Sequence, residues 1–485
     1  MASEYFHGIR VDEAEATLIT QQEGTGGLQV VFGTAPVNLA ENPQEAVNVP
    51  IMCRSFAECQ KYLGYSNDFK KFTLCASMYA NFKVFNISPV IFVNVLDPKT
   101  HFKKNEAKSV TVVEKQAVLK EYGVLKDSVI VKNGESQLEA DKDYILSFNN
   151  AGYLVITMLA GGAGESVSSV TVESKSIDPD AVTKEDIVGG YDMETGKETG
   201  IETVRQIYPR FSYTPGLLLA PGWSKYPAVA AVLAAKCEKI NGVFRCECLV
   251  DLDTTKATDY AKCKKVKEES AIADKHQAAL WPMLKIDDMI FPYSAVFGAM
   301  TAYTDAENDD VPNLALSNRL LKVSGTVLED GTEVVLDQNQ ANALNGYGII
   351  TAINDNGWKS WGNNMACYPG NSDPKDRWMN CRRFFSWWGN SFILTYKSKV
   401  DNLADTKLIE DICDSENIKG NSYVSQGKCA GARIEYLEED NTIDNILNGE
   451  VHFRQYLAQY TPAERIVNTL SFDPDLLKEA LQGGE

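Results

Sequence analysis

The sequence predicts a multidomain protein of the α/β and α+β classes, with mixed sheets flanked by helices, an inserted small all-β domain and extended terminal arms. Three observations lead to this prediction: a strand–helix–strand pattern near the middle of the chain, a series of short β segments between residues 100 and 182, and strand-like segments near both ends. The length of 485 residues gives room for about three domains at roughly 150 residues each.

The first hundred residues are typical of a mixed α/β unit. Residues 27–35 form a short apolar segment bounded by glycines, which predicts a strand. Val90–Val95 is almost entirely apolar, which is typical of a strand buried on both faces. We therefore assign residues 1–36 to an N-terminal arm with the first strand, and residues 37–99 to the first part of an α/β domain.

The next segment changes to a purely β pattern. Short β runs are separated by turn residues such as Asn133-Gly134, and no helical periodicity interrupts them. Because α/β patterning resumes afterwards, we predict that residues 100–182 form an inserted β-barrel or β-sandwich domain.

The middle of the chain predicts a parallel crossover. Pro215–Pro221 reads as a buried strand, and a helix over Ala228–Ile240 follows with Pro227 at its first position. Val243–Asp251 reads as the next strand, so the unit implies parallel pairing. We assign residues 183–340 to the second part of the α/β domain.

A helix predicted over Asp373–Trp388 combines aromatic and cationic side chains. Asp373 is a suitable N-cap, and Pro374 suits the first helical position. The aromatic residues that share one face are Trp378, Phe384, Phe385 and Trp388. The cations that fall on the other side are Lys375, Arg382 and Arg383. Two interpretations stay open: a solvated basic face, or a surface for an acidic partner.

The end of the chain alternates like β-strands. We assign residues 341–460 to a C-terminal core domain and residues 461–485 to a C-terminal arm. Within the arm, Arg465–Phe472 has a strand-like pattern, and Asp473-Pro474 predicts the start of a short helix. A strand this close to a terminus can complete its own sheet or a neighbour's sheet.

Composition and motifs exclude several classes of protein. The net charge of −19 argues against general nucleic-acid binding and against docking on an anionic membrane. No run of 18 apolar residues occurs, and residues 1–10 lack the pattern of a secretion signal. The eleven cysteines include no Cys-x-x-Cys motif, so we expect reduced, mostly buried thiols. We find no catalytic or phosphate-binding motif and expect no catalytic residue, cofactor or metal.

Several segments, taken in order, resemble the contractile-tail sheath proteins of bacteriophages and phage-tail-like particles, with Mu-like phages and R-type bacteriocins as the nearest likeness. The segments that carry the resemblance are Phe6–Val11, Val30–Pro36, Thr214–Ser224, Ala228–Asp251, Trp281-Pro282, Thr304–Asn308, Gly346–Trp358, Trp378–Trp388 and Val451–Pro474. Their order spans nearly the whole chain, and only the β segment over residues 100–182 lies outside it.

The resemblance implies a structural protein whose subunits stack as hexameric rings around an inner tube and contract to drive the tube through a cell envelope. It implies as partners further copies of the chain, the tube protein, and baseplate and tail terminator proteins, with no direct contact to nucleic acid or membrane. The implied location is a virion tail or an extracellular tail-like particle that is assembled in the host cytoplasm.

The resemblance, together with the charge contrast, also indicates candidate partner-binding residues. The candidates for facing the tube are Lys375, Arg382 and Arg383. The candidates for inter-subunit strands are Val30, Val31, Phe32, Ile466, Val467, Leu470 and Phe472. Two alternatives remain: an α/β metabolic enzyme with an inserted β domain, and another self-assembling surface protein. Long hollow tubes in electron micrographs would separate a sheath from an enzyme.

Overall fold

The first part of the described chain supplies three strands and two helices. The structure is a computed structural model that describes Gln22 and residues 24–482; most of the predicted N-terminal arm, residues 1–21, lies outside it. The elements are β1 (Gln29–Gly33), β2 (Ile51–Cys53), α1 (Phe56–Leu63), α2 (Leu74–Tyr79) and β3 (Val90–Asn94). The Ser55 hydroxyl caps α1 by accepting a hydrogen bond from the Glu58 amide.

Residues 102–177 form seven strands. They are β4 (Phe102–Val113), β5 (Gln116–Leu119), β6 (Ile130–Asn133), β7 (Ser136–Gln137), β8 (Tyr144–Phe148), β9 (Leu154–Met158) and β10 (Ser169–Ile177). They pair antiparallel in the order β7-β6-β10-β4-β5-β9-β8, and their buried side chains form a cluster separate from the main core. Because β7 and β8 do not pair with each other, the sheet is open. Phe102 lies opposite Ile177, so the chain enters and leaves this sheet at adjacent points.

Residues 183–361 alternate between helices and strands. The elements are α3 (Lys184–Val188), β11 (Gly190–Asp192), β12 (Lys197–Thr199), α4 (Ile207–Phe211), β13 (Leu217–Leu219), α5 (Pro227–Glu238), β14 (Glu247–Asp251), α6 (Tyr260–Glu269), β15 (Gln277–Leu280), β16 (Met283–Ile286), β17 (Met289–Phe291), α7 (Tyr293–Ala306), β18 (Gly325–Val327), α8 (Gln338–Asn345), β19 (Ile349–Asn354) and β20 (Trp358–Trp361). The predicted crossover is present, because β13 and β14 are parallel and α5 connects them.

The remaining elements are mostly helical. They are α9 (Pro374–Arg377), α10 (Met379–Tyr396), α11 (Thr406–Ser425), β21 (Gly431–Glu435), α12 (Ile443–Leu447), β22 (Arg454–Ala458) and α13 (Pro474–Leu481). The single helix predicted over Asp373–Trp388 is two helices, because the backbone at Trp378 is extended, with φ −86° and ψ 124°. α10 then continues beyond the predicted end, to Tyr396.

The central sheet has eight strands in the order β2-β3-β1-β13-β14-β15-β19-β20. The six strands from β3 to β19 in this order pair in parallel, and β2 and β20 are antiparallel edges. α7 approaches the sheet closely at Gly298, where an added Cβ would lie 2.7 Å from Leu219 Cδ2. The fold is therefore a mixed α/β structure, in agreement with the predicted class.

The position of β1 contradicts one sequence prediction. Val31 lies between Phe92 of β3 and Leu219 of β13, so both edges of β1 are paired within the chain. Val30, Val31 and Phe32 are fully buried. The prediction that these residues pair with another subunit is therefore wrong, because no free strand edge remains there. An apolar strand near a chain end has the same sequence pattern whether it is a central strand or an exchanged one.

Candidate assembly surfaces

The cations predicted to face a tube lie in α9, which contains Lys375, and near the start of α10, which contains Arg382 and Arg383. Arg382 is buried among acidic side chains. Its Nη1 donates to Asp376 Oδ1 at 2.9 Å, and its Nε lies 3.9 Å from Glu247 Oε1. Burial by itself would raise the pKa of Glu247, but His276, Arg382 and Ser386 together hold it below the usual glutamate range. Arg382 is thus neutralised within the subunit.

Arg383 is also buried and forms a two-point ion pair with Asp305 of α7. Its Nη1 donates to Asp305 Oδ1 at 3.1 Å, and its Nη2 donates to Asp305 Oδ2 and to the Gly26 carbonyl. Its exposed fraction is 1%. The prediction that Arg382 and Arg383 face a partner is therefore wrong, because both are buried and their acidic partners belong to the same chain. Among the three only Lys375 is partly exposed, and it lies near Asp373 and Asp376.

The face of α10 that carries Arg383 also holds the N-terminal segment of the described chain. Side chains at every fourth position of α10 form hydrogen bonds with the backbone of Gln22, Gly24 and Gly26. We call this set of bonds the α10 ladder. Its rungs are Arg383 to the Gly26 carbonyl, Trp387 Nε1 to the Gly24 carbonyl at 2.7 Å, Ser391 Oγ to the Gly24 amide at 2.8 Å, and Thr395 Oγ1 to both backbone groups of Gln22 at 3.0 Å. The spacing of four residues keeps all rungs on one helix face, so the segment runs along α10 in the opposite direction.

The C-terminal arm leaves the body of the subunit after two anchoring contacts. Asn380 Nδ2 donates to the Tyr460 carbonyl at 3.1 Å, and Arg377 Nη2 lies 3.0 Å from Glu464 Oε2. Beyond Glu464 every described residue is exposed. The apolar side chains that this leaves in solvent include Ile466 at 86%, Val467 at 67%, Leu470 at 89% and Phe472 at 79%. Four large apolar side chains in so short a segment are typical of a surface that another chain covers.

Strands β21 and β22 form a two-stranded sheet that has one open edge. Asn417 of α11 bonds both backbone groups of Ile434, which covers the outer edge of β21 at that residue. Gln455 lies opposite Ile434, whose backbone groups bond Asn417 and not β22. Gln455 and Leu457 are therefore the non-hydrogen-bonded positions of β22, and their backbone groups point away from β21. No third strand among the described residues pairs there. A two-stranded sheet is marginal by itself, so this edge is suited to a further strand.

A large basic cleft, which the sequence did not indicate, lies between the loops around α4 and the end of α10. Its volume is about 1740 Å³, and seven cationic and three acidic side chains line it. In a chain of net charge −19 this is a marked local excess of positive charge. The cleft escaped prediction because its cations come from five separate segments, so no window of the sequence is strongly basic.

The described residues carry no sign of a metal site or a membrane span. No group of three or more histidine, cysteine or acidic residues in that part of the chain could hold a metal ion. No helix formed by residues that the structure describes is long and apolar enough to cross a bilayer. The eleven cysteines are free thiols, and all except the half-buried Cys413 are buried. Burial raises the pKa of Cys381 to about 11, so this thiol is protonated at neutral pH.

The amino-acid sequence has relatives among tail sheath proteins. It is 22% identical to the tail sheath protein of Burkholderia phage BcepMu, and the alignment covers 100% of both chains. It is 24% identical to a putative prophage major tail sheath protein of Pseudomonas aeruginosa, over 67% of this chain and 82% of the relative. It is also 24% identical to the tail sheath protein of Escherichia phage P2, over 59% and 70% of the two chains. No family model matches the sequence.

Solved structures with the same fold are sheath proteins as well. The sheath of an extracellular contractile injection system in its contracted state (PVC) superposes with a TM-score of 0.57 at 14% identity, covering 98% of this chain and 100% of that one. The contracted helical sheath of the anti-feeding prophage gives 0.56 at 14% identity, covering 98% and 100%. A sheath tail protein from Desulfitobacterium hafniense gives 0.51 at 10% identity, covering 88% and 93%. The predicted resemblance to contractile tail sheath proteins, which are structural and not enzymatic, is confirmed by the named relatives.

Proposed function

Because the chain resembles contractile tail sheath proteins from end to end, we propose that it is the sheath subunit of a contractile phage tail or tail-like particle. In this proposal, subunits stack as hexameric rings around an inner tube and contract to drive the tube through the envelope of a target cell. The observation that carries the proposal is the complete coverage of both chains in the alignment with the phage BcepMu sheath protein. It is supported by an exposed apolar arm and an open sheet edge on the same subunit.

The C-terminal arm, residues 461–485, joins copies of the subunit. We assign the strand-like stretch with Ile466, Val467, Leu470 and Phe472 to the open edge of β22 in a neighbouring copy. Each backbone hydrogen bond so formed contributes about 0.5–1.5 kcal/mol net, so a strand making about four bonds contributes about 2–6 kcal/mol. Repeated over many subunits, such contacts generate a helical assembly because they are heterologous and do not close.

The remaining assignments follow the predicted domains. Residues 37–99 and 183–340 together form the α/β domain, and residues 341–460 form the C-terminal core domain. Residues 100–182 form an inserted domain on the outside of the assembly, away from the tube. The adjacency of Phe102 and Ile177 supports an insertion, since removing the residues between them leaves ends that are already close together. Lys375 remains a candidate for contact with an acidic tube.

The proposed partners are further copies of the chain, the inner tube protein, and baseplate and tail terminator proteins. Assembly takes place in the host cytoplasm, and the finished particle acts as a virion tail or outside the cell. The buried free thiols suit assembly in a reducing compartment. The proposal includes no cofactor and no direct contact with nucleic acid or membrane.

Negative-stain electron microscopy of the purified full-length chain tests this proposal, and hollow tubes are the expected result. The matched pair of variants is Leu470→Asp and Ser471→Asp, which place the same charge at neighbouring exposed positions on opposite faces of an extended strand. Leu470→Asp should prevent tube formation while the subunit stays soluble, and Ser471→Asp should affect it less. A chain that stays a discrete monomer or small oligomer at all concentrations would refute the sheath function. Normal tubes from Leu470→Asp, or from a chain lacking residues 465–485, would refute the role of the arm.

A further inference from the structure

The C-terminal helix α13 is an amphipathic element without a partner in its own subunit. None of its residues is buried, and Leu476, Leu477 and Leu481 are 64%, 49% and 77% exposed. At about 100° per residue these leucines share an arc of about 140°. Glu479 and Lys478 flank this arc, one on each side, Asp475 lies on the opposite face, and Asp473 caps the helix N-terminus. The helix therefore presents an apolar face, and the segment that carries it is acidic on balance, with Asp473, Asp475 and Glu479 against Lys478.

The basic cleft has the complementary character. Its cations that make no ion pair with any described residue are Lys99, Lys197, Arg210, Lys239 and Lys397, and all five are exposed. Two further cations, Arg205 and Lys236, are already paired with acidic residues of the cleft. Between the cations lie apolar side chains, among them Val243 and Val400, which are 49% and 69% exposed.

The dimensions agree as well. A helix of eight residues is about 12 Å long and, with its side chains, about 10 Å wide, so its volume is on the order of 1000 Å³. The cleft volume of about 1740 Å³ accommodates such a helix together with its flanking residues. The acidic excess of this segment complements the cations of the cleft, while docking removes the leucines from water.

We infer that the basic cleft is a docking site for helix α13 of a second copy of this chain. The inference deepens the proposed function, because it gives the end of the C-terminal arm its own site in a neighbouring subunit. A second copy is the occupant because α13 leaves its own subunit fully exposed and because the helical array brings copies into contact. The apolar contact gives the site its affinity, and the charges orient the helix and make the contact sensitive to salt.

A binding experiment tests this inference without requiring tubes. A fluorescently labelled peptide with the sequence of residues 471–485 is titrated with the unassembled full-length chain, and its anisotropy is measured at low salt. The variant Arg210→Glu/Lys239→Glu reverses two exposed cations of the cleft. The matched control, Lys264→Glu/Lys265→Glu, reverses two exposed cations on α6, outside the cleft. A second peptide carries Leu477→Asp and Leu481→Asp.

The expected result is saturable binding to the wild-type chain, about tenfold weaker binding to the cleft variant and unchanged binding to the control. The Leu477→Asp/Leu481→Asp peptide should not bind, and binding should weaken at about 1 M salt. Equal affinity for wild type and cleft variant, or no binding at about 1 mM peptide, would overturn the inference. If only a chain lacking residues 473–485 binds the peptide, the cleft holds its own α13, which overturns the choice of a second copy. Tubes with no peptide binding would reject this inference and leave the sheath function standing.

Discussion

Replacing Arg383 by Met should strongly destabilise the isolated subunit. Arg383 forms its ion pair with Asp305 in a place where both side chains are almost completely buried, at 1% and 2% exposure. The Met side chain fills a similar length, but it leaves the Asp305 carboxylate without its cation. It also removes the bond from Arg383 to the Gly26 carbonyl, the first rung of the α10 ladder. The change thus acts on a buried charge and on the attachment of the N-terminal segment together.

The magnitude follows from the loss of one partner of a buried ion pair, which costs about 3–5 kcal/mol because the other charge stays buried and unpaired. Replacing both partners, as in Arg383→Met/Asp305→Leu, removes the uncompensated charge and should restore most of the stability. Denaturation in urea has a slope of about 1–3 kcal/mol per molar. At a slope of about 2, the transition that involves α10 should therefore move about 1.5–2.5 M lower in urea for the single variant.

Tryptophan emission during urea titration measures this shift, because Trp387 and Trp388 are buried beside Arg383 on the same helix. Lys375→Met is the matched control, because Lys375 belongs to the same predicted group of cations but is partly exposed. Its effect on the free energy of unfolding should stay within about 0.5 kcal/mol. Equal midpoints for Arg383→Met and Lys375→Met would refute the reasoning. So would a double variant with Asp305→Leu that is less stable than the single one. A tube-facing Arg383 would instead leave the midpoint unchanged and weaken only assembly.

The other predictions concern the inserted sheet, a buried acid and the ladder. Joining the chain across residues 103–176 with a short glycine–serine linker should leave a soluble subunit that forms tubes in electron micrographs; loss of folding would show that the sheet belongs to the core. Burial raises the pKa of Asp251 to about 6 from its usual 3.8, so the folded state binds the proton more tightly and this carboxyl lowers stability as the pH rises from about 4 to about 6. The free energy of unfolding of Asp251→Asn, relative to that of wild type, should therefore rise by about 3 kcal/mol between about pH 4 and pH 7 in urea titrations. A difference that does not change with pH would contradict the raised pKa. Ser391→Ala/Thr395→Val should speed hydrogen exchange in the peptide of residues 22–26 by about tenfold, whereas Ser425→Ala on α11 should leave it unchanged; equal exchange would mean that these rungs do not hold the segment.

The parts of the fold that the sequence predicted well are those whose signal is local. The bounds of α1 are an example of local signals, because its N-cap Ser55 and the following Gly64 directly adjoin the helix in sequence. The strand Val90–Asn94 is buried as predicted, since a continuous apolar run needs partners on both faces. The crossover through α5 was predictable because Pro227 starts the helix and Asn241-Gly242 follows it closely.

The parts that could not be predicted depend on contacts between distant residues. Arg383 looks like a surface residue in sequence, and only the arrival of Asp305 from α7 shows that it is buried. β1 looks like a strand available for exchange, and only β3 and β13 show that it is central. The basic cleft is the extreme case, because its cations are separated by up to some three hundred residues of chain. Charge contrast predicted a partner surface at Arg382 and Arg383, whose charges the fold pairs within the chain.

The α10 ladder has a consequence for how the subunit withstands tension. A pull on Gln22, directed along the segment and away from Gly26, runs nearly parallel to α10. Its rungs are about 6 Å apart along the helix axis, at four residues of about 1.5 Å each. Because the pull is parallel to the line of rungs, all the hydrogen bonds are loaded together in shear. A pull perpendicular to α10 would instead break them one after another. Arg383, the rung at the Gly26 end, is fixed in turn to Asp305, so tension that enters at Gln22 is passed to α7 beside the central sheet. A strand end held in this way resists being drawn out of the fold.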